Sequence, residues 1–151
     1  MTDPFHFNPI GVVRCEDKRE NLGPITFEEK QKRKATIEVF PEFAEGLTDI
    51  EGFSNIHVIW VFHRSREAHL ISHPPWDHRP HGVFATRSPN RPNPIGLTIV
   101  NLEEREGNLL HISGADMIDG TPVLDIKPYT KSNAYTGISE GWLEDVRDGI
   151  N

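Results

Sequence analysis

The chain has 151 residues, 36% of them apolar and 26% charged, and its 16 Lys and Arg against 23 Asp and Glu leave a formal net charge of −7. That length holds one domain with a buried core, and no apolar stretch approaches the roughly 20 residues needed to cross a bilayer, so no membrane partner is expected. The negative balance argues against nucleic-acid binding through the whole surface and leaves a local basic patch as the route to such a partner.

Asn8-Pro9-Ile10-Gly11-Val12-Val13 reads as a first strand, punctuated by its proline and ended by the charged run Glu16 to Glu20. Cys15 is the single cysteine, so no internal disulfide forms, and a reducing, cytoplasmic setting is expected. The opening residues, Met1 to His6, carry neither the basic nor the apolar region of a secretory leader. Asn21 to Pro24 breaks regular structure, and the basic run Lys30 to Lys34 reads either as a solvated turn or as a functional patch. Ala35 to Phe40 alternates Thr and Glu against Ile, Val and Phe, the pattern of a half-buried strand. Pro41 starts a short helix with Phe43, Ala44 and Leu47 on one face. Asn55 to Phe62 is the strongest strand signal, nearly continuous in apolar residues, which predicts burial of both faces.

From His63 to His81 the chain is polar and rich in His and Pro, which reads as a lid, a binding loop or a partly disordered segment. Its histidines at 63, 69, 73, 78 and 81 match no zinc-ligand spacing, so no metal is assigned. Val83 to Ala85 reads as a short strand running into a loop, Arg87 to Gly96, and Leu97 to Val100 leaves that loop as a strand continuing to Arg105. Gly107-Asn108 is a hairpin turn and Leu109 to Ala115 the return strand. Met117 to Pro122 makes another tight turn, in which Gly120 supplies positive φ. Val123 to Tyr129 is the last strand, and Trp142, Leu143 and Val146 suit one short docking helix. The sum is an all-β fold: a single-domain, partly closed β-barrel of about seven short strands with a few short helices, its core at about residues 8–130 and a docking tail at 131–151. Acidic residues gather at Glu42 to Glu51 and Glu140 to Asp148, away from the basic run and the arginines.

The loop from Arg87 to Gly96 holds Pro89, Pro92 and Pro94, which fix their own φ and push Ser88, Arg91 and Asn93 toward extended conformations. Polar side chains on so stiff a backbone lose little entropy on binding. There is no phosphate loop, no dinucleotide fingerprint, no nucleophile-elbow serine and no paired-cysteine zinc site. The stretch Gly82 to Thr98, with its ArgSer…ProAsnProIleGly loop, and the distant Asp119-Gly120-Thr121-Pro122-Val123-Leu124-Asp125-Ile126-Lys127-Pro128-Tyr129 resemble the TsaA-like family of TrmO-type tRNA N6-adenosine methyltransferases. Ile10 to Arg14 and Gly52 to Asn55 match as well, so the resemblance covers about residues 8–130.

The resemblance implies a β-barrel homodimer that binds S-adenosyl-L-methionine and methylates N6 of threonylcarbamoylated adenosine beside the tRNA anticodon, at position 37. It implies cofactor contacts from His63, Arg87, Leu97 and the Asp119-Gly120-Thr121-Pro122 turn. The chemistry of the residues agrees: Arg87 suits a bidentate fork to the cofactor carboxylate, Asp119 an ammonium or ribose hydroxyl, Leu97 the adenine, and Arg64 joins His63 at the pocket edge. Asp125 is the candidate weak base, in a row with Lys127 that equally suits a solvent-facing strand edge. Arg91, Asn93, Lys127 and Tyr129 are candidates for the tRNA. Many relatives carry a Pro-Arg-Gln segment where this chain has Pro24-Ile25-Thr26, so only Pro24 remains of those cofactor contacts. Methylation of another acceptor, or a non-catalytic cofactor-binding module, are the alternatives.

Overall fold

Period-two alternation and tight glycine turns organise the chain into strands. The computed structural model describes residues 2–147; Met1 and residues 148–151, the ends of the 1–151 domain reading and Asp148 of the acidic tail with them, lie outside the described residues. In order come β1 (Gly11–Arg14), α1 (Phe27–Lys32), β2 (Lys34–Val39), β3 (Asn55–Val61), β4 (Ile71–Ser72), β5 (His81–Gly82), β6 (Ile95–Glu106), β7 (Leu109–Ser113), β8 (Pro122–Pro128) and α2 (Trp142–Arg147). Turns of 3-10 helix lie at Pro41–Leu47, Ile50–Gly52, Val83–Ala85 and Lys131–Asn133. Among the described residues no helix is long and apolar enough to cross a membrane.

Two compact units result. The first, residues up to Arg64 with Ile95–Tyr129, is a closed barrel in the order β1-β2-β7-β6-β3-β8, every neighbour antiparallel. Its interior is filled by the inward residues of each strand: Val13, Ile37, Val39, Ile56, Val58, Val100, Leu110, Ile112 and Val123 are all essentially inaccessible. The second unit, Ser65–Pro94 with the chain from Thr130, carries the small β4–β5 ladder and α2.

The barrel is all-β as expected, but it closes completely with six strands. Val83–Ala85 is a 3-10 turn, in which the Val83 carbonyl takes both the Thr86 amide and the Thr86 hydroxyl instead of a ladder partner. β3 buries one face, Ile56, Val58 and Trp60, while His57, Ile59 and Val61 are half-buried on the outside, because an antiparallel barrel has one interior. α1 went unpredicted; Thr26 and Glu29 form a reciprocal capping box at its start.

β6 starts at Ile95, two residues before the sequence reading placed it, and takes Gly96 out of the loop. Gly96 lies opposite Trp60 in the ladder, and a Cβ there would sit 2.2 Å from Trp60 Cε2. Only glycine lets the indole lie flat against the strand. Gly96→Ala is expected to cost about 1–3 kcal/mol through overpacking, read as a lower midpoint in denaturant with the strand content of the circular dichroism spectrum retained; an unchanged midpoint would contradict the contact.

Candidate functional site at one end of the barrel

The ends of β1 and β3 and the starts of β6 and β8 meet at one rim of the barrel. The Asp119-Gly120-Thr121-Pro122 turn is stitched there to β1. Val13 N–H donates to Thr121 O (2.8 Å), Gly120 N–H to Val13 O (2.8 Å), and Cys15 N–H to Asp119 Oδ1 (2.9 Å). Gly120 takes φ +83°, the left-handed conformation its turn requires. A Cβ on Gly120 would come within 4.0 Å of His63 Nε2, so the imidazole hangs over the turn. Thr121 is fully buried and its hydroxyl donates to Ile118 O (2.7 Å).

Asp119 is engaged on both oxygens, since Lys18 Nζ lies 3.1 Å from Oδ2. The Cys15 amide first, and Lys18 after it, hold the Asp119 carboxyl below its ordinary pKa. Burial pushes the neighbouring Cys15 thiol up, which makes it an inert core residue. Arg64 is exposed, its Nη2 3.4 Å from Glu20 Oε1. Leu97 faces outward from β6 opposite Ile59, and Pro24 is exposed in the connection before α1.

Three residues at this rim carry roles the sequence does not specify: Asp116, and Arg33 and Lys30 of the basic run. Arg33, at the end of α1, is a buried clamp: Nη1 donates to Ala115 O (2.8 Å) and Met117 O (2.9 Å), and its own carbonyl accepts from Gly114 and Ala115. Nε stands 3.5 Å from Asp17 Oδ2 without a hydrogen bond. Asp116 Oδ1 accepts from the Thr98 hydroxyl at 2.5 Å, and that hydroxyl accepts from Trp60 Nε1 at 3.0 Å. Lys30 Nζ lies 4.0 Å from Asp116 Oδ2. In sequence the run Lys30 to Lys34 shows only charge; the Thr26 and Glu29 capping pair was the available signal that a helix presents it.

The structure sets Asp125, Lys127 and Tyr129 apart from this rim. Pro122 to Tyr129 is extended chain rising roughly 3.3 Å per residue, and Tyr129 N–H donates to Asn55 O at the other end of β3. Asp125 faces outward opposite Ile59, its Oδ1 taking the Ile126 amide (2.9 Å) and its Oδ2 the Lys127 ammonium (2.9 Å). It also lines a cleft of about 520 Å³ with Ile10, Val39, Phe43, Leu47 and Ile50. The Tyr129 ring tilts against His57, centroids 5.4 Å apart.

The second unit locks its own loop. Ser65 Oγ donates to Pro89 O (3.0 Å), His69 N–H to Asn90 O (3.2 Å), and Asn90 N–H to Ser88 Oγ (3.2 Å). Arg91 Nη1 donates to the Thr86 and Ser88 carbonyls (3.0 and 3.1 Å), so it staples the loop it belongs to, while Arg87 and Asn93 are exposed. Buried Asp77 takes Arg79 and His81 (2.8 Å to Nε2), and Trp142 of α2 stacks on His81 at 4.0 Å and donates to Ala85 O. Among the described residues no three His, Cys, Asp or Glu side chains are grouped to hold a metal.

Comparison with known proteins places this geometry. Residues 12–133 match the profile of the tRNA-methyltransferase O N-terminal domain. A Pyrococcus abyssi protein named a probable S-adenosyl-L-methionine-binding protein is 47% identical over 139 residues, 91% of this chain and 76% of that one. The mouse tRNA (adenine(37)-N6)-methyltransferase is 46% identical over 94 residues, 60% of this chain and 22% of the mouse enzyme. A crystal structure of TrmO superposes with a TM-score of 0.79 at 33% identity over 92% of this chain. The chain spans 64% of the length of that solved structure.

Because its folded pKa is lowered, Asp119 stabilises the fold above the unfolded carboxyl value of about 3.9 and loses that contribution as pH falls below it. Asp119→Asn is therefore expected to be less stable than the parent chain at pH 7, with the gap narrowing toward pH 3 in urea titrations. A gap independent of pH would contradict the assignment.

Proposed function

The chain belongs to the tRNA-methyltransferase O N-terminal domain family, and on that premise we propose that it is an S-adenosylmethionine-dependent methyltransferase of the cytoplasm, acting on N6 of threonylcarbamoylated adenosine at position 37 of tRNA. The observation that carries the reading is the pre-formed rim: a left-handed Gly120 turn bonded to β1, with His63 over it. The rim fits the cofactor, because its glycine leaves room beneath the imidazole and charged side chains of both signs stand around it.

S-adenosylmethionine supplies an electrophilic methyl group carried on a sulfonium. In the barrel unit His63, Arg64, Leu97 and Asp119 to Pro122 would hold the cofactor, with Pro24 from the connection before α1. The turn contributes mainly backbone, since the Asp119 carboxylate is already engaged by Cys15 and Lys18. Asn93, Lys127 and Tyr129 contact the tRNA, and Arg91 shapes the loop that displays Asn93. Holding donor and acceptor in line supplies much of the acceleration in a displacement of this kind; the proton of the acceptor nitrogen leaves to solvent after attack, since Asp125 faces outward, apart from the rim and engaged by the Ile126 amide and Lys127.

The family reading also makes the chain a homodimer. Ile95, Leu97 and Ile99 alternate along the outward face of β6, each 44–46% exposed, and Ile59 and Val61 flank them on β3. That strip is the apolar surface a second copy covers. Ile99→Asp is expected to sediment as a monomer; a dimer unchanged by it would place the interface elsewhere.

Transfer of labelled methyl from S-adenosylmethionine tests the function. Label is expected in N6-methylated, threonylcarbamoylated adenosine of tRNA, and Asp125→Asn is expected to escape the fall of about 10²–10⁴ in kcat that loss of a general base causes. Label entering only small metabolites would favour another acceptor, and cofactor binding with no transfer to any cell fraction would make the chain a binding module.

A further inference from the structure

Three carboxylates lie on the segment that forms the rim and the strand beyond it, and two of them are engaged. Asp119 holds the Cys15 amide with one oxygen and Lys18 with the other. Asp125 faces outward, holding the Ile126 amide and Lys127. Asp116 differs: Oδ1 is pinned by the Thr98 hydroxyl, Thr98 is held in turn by the Trp60 indole, and both of those side chains are buried in the core. The carboxylate is therefore rigidly oriented, and its Oδ2 makes only a loose ion pair, with Lys30 Nζ at 4.0 Å. That distance is beyond hydrogen-bond reach. Both side chains are 28% exposed, and Lys30 stands on a helix whose end is fixed by the Arg33 clamp.

A loose ion pair, its charges 4.0 Å apart with no hydrogen bond between them, at a half-buried rim, is complementary to a zwitterion. An α-amino acid carries its ammonium and carboxylate on a single carbon, and laid across the pair each charge meets its opposite with charge-assisted hydrogen bonds. Resting on the reading of this rim as a cofactor site, we propose that Lys30 and Asp116 form the subsite for the amino-acid end of S-adenosylmethionine, Asp116 Oδ2 accepting from the ammonium and Lys30 Nζ donating to the carboxylate.

Titration calorimetry on the whole chain tests the subsite with three ligands: S-adenosylmethionine, S-adenosylhomocysteine, and 5′-methylthioadenosine, which keeps adenine, ribose and sulfur but lacks the amino-acid end. Asp116→Asn leaves an acceptor for Thr98 and removes the charge; Lys30→Met keeps the stem and removes the ammonium. Each variant is expected to weaken the two amino-acid-bearing ligands by about tenfold or more, the cost of a charge-assisted hydrogen bond, while methylthioadenosine stays within about twofold. Lys30 is outside the core, so its variant gives a result even where Asp116→Asn disturbs the barrel. Equal losses for all three ligands, or no loss for any, would overturn the proposal. An unaltered chain that binds none of the three would overturn the cofactor reading itself.

Discussion

β1 and β8, the seam where the barrel closes, pair over only Gly11 with Val123 and Val12 with Pro122. The rest of the closure comes from the turn that precedes β8, through the Val13 and Thr121, Gly120 and Val13, and Cys15 and Asp119 hydrogen bonds. Six strands need that seam, because an open edge would leave a row of unpaired backbone groups beside the core. The same four residues therefore close the barrel and build its rim. A ligand arriving there meets backbone already fixed by the fold, and the ordering cost of binding is correspondingly small.

The polar groups under the rim follow the same logic. Arg33 is almost fully covered, and it is tolerated because its Nη1 satisfies two carbonyls of the irregular Ala115–Met117 segment that no strand could serve. Trp60 is kept flat against Gly96 on one side and hydrogen-bonded to Thr98 on the other, so the indole carries the order of the core up to Asp116. In the second unit, Asp77 does comparable work for the proline-rich loop, gathering Arg79 and His81, on which Trp142 stacks. Both units thus support functional candidates from beneath with buried or nearly buried polar side chains bonded to the backbone or to one another.

The strands were legible because apolar residues at every second position declare a face, and Gly107 and Gly120 declared their turns through positive φ. The resemblance of the ArgSer and AspGlyThrPro stretches to a known family was legible too, and the family match agrees with it. Strand count and closure were not, since alternation says nothing about which edges meet. α1 buries no residue, so it leaves no apolar stripe for periodicity to detect. Arg33 resembled its solvated neighbours because its partners lie more than 80 residues along the chain. Asp125 stands in an equally suggestive motif, yet the pleat turns it to the outside with Lys127, a placement that depends on the bulge between β3 and β8.

That the turn closing the barrel is also the cofactor-holding rim is the claim on which the rest depends. Amide chemical-shift mapping of the ¹⁵N-labelled chain titrated with S-adenosylmethionine reads it residue by residue. The account predicts saturable shifts centred on Cys15, Gly120, Thr121 and His63. Shifts confined to the cleft around Leu47 and Ile126, or none at millimolar ligand, would contradict it.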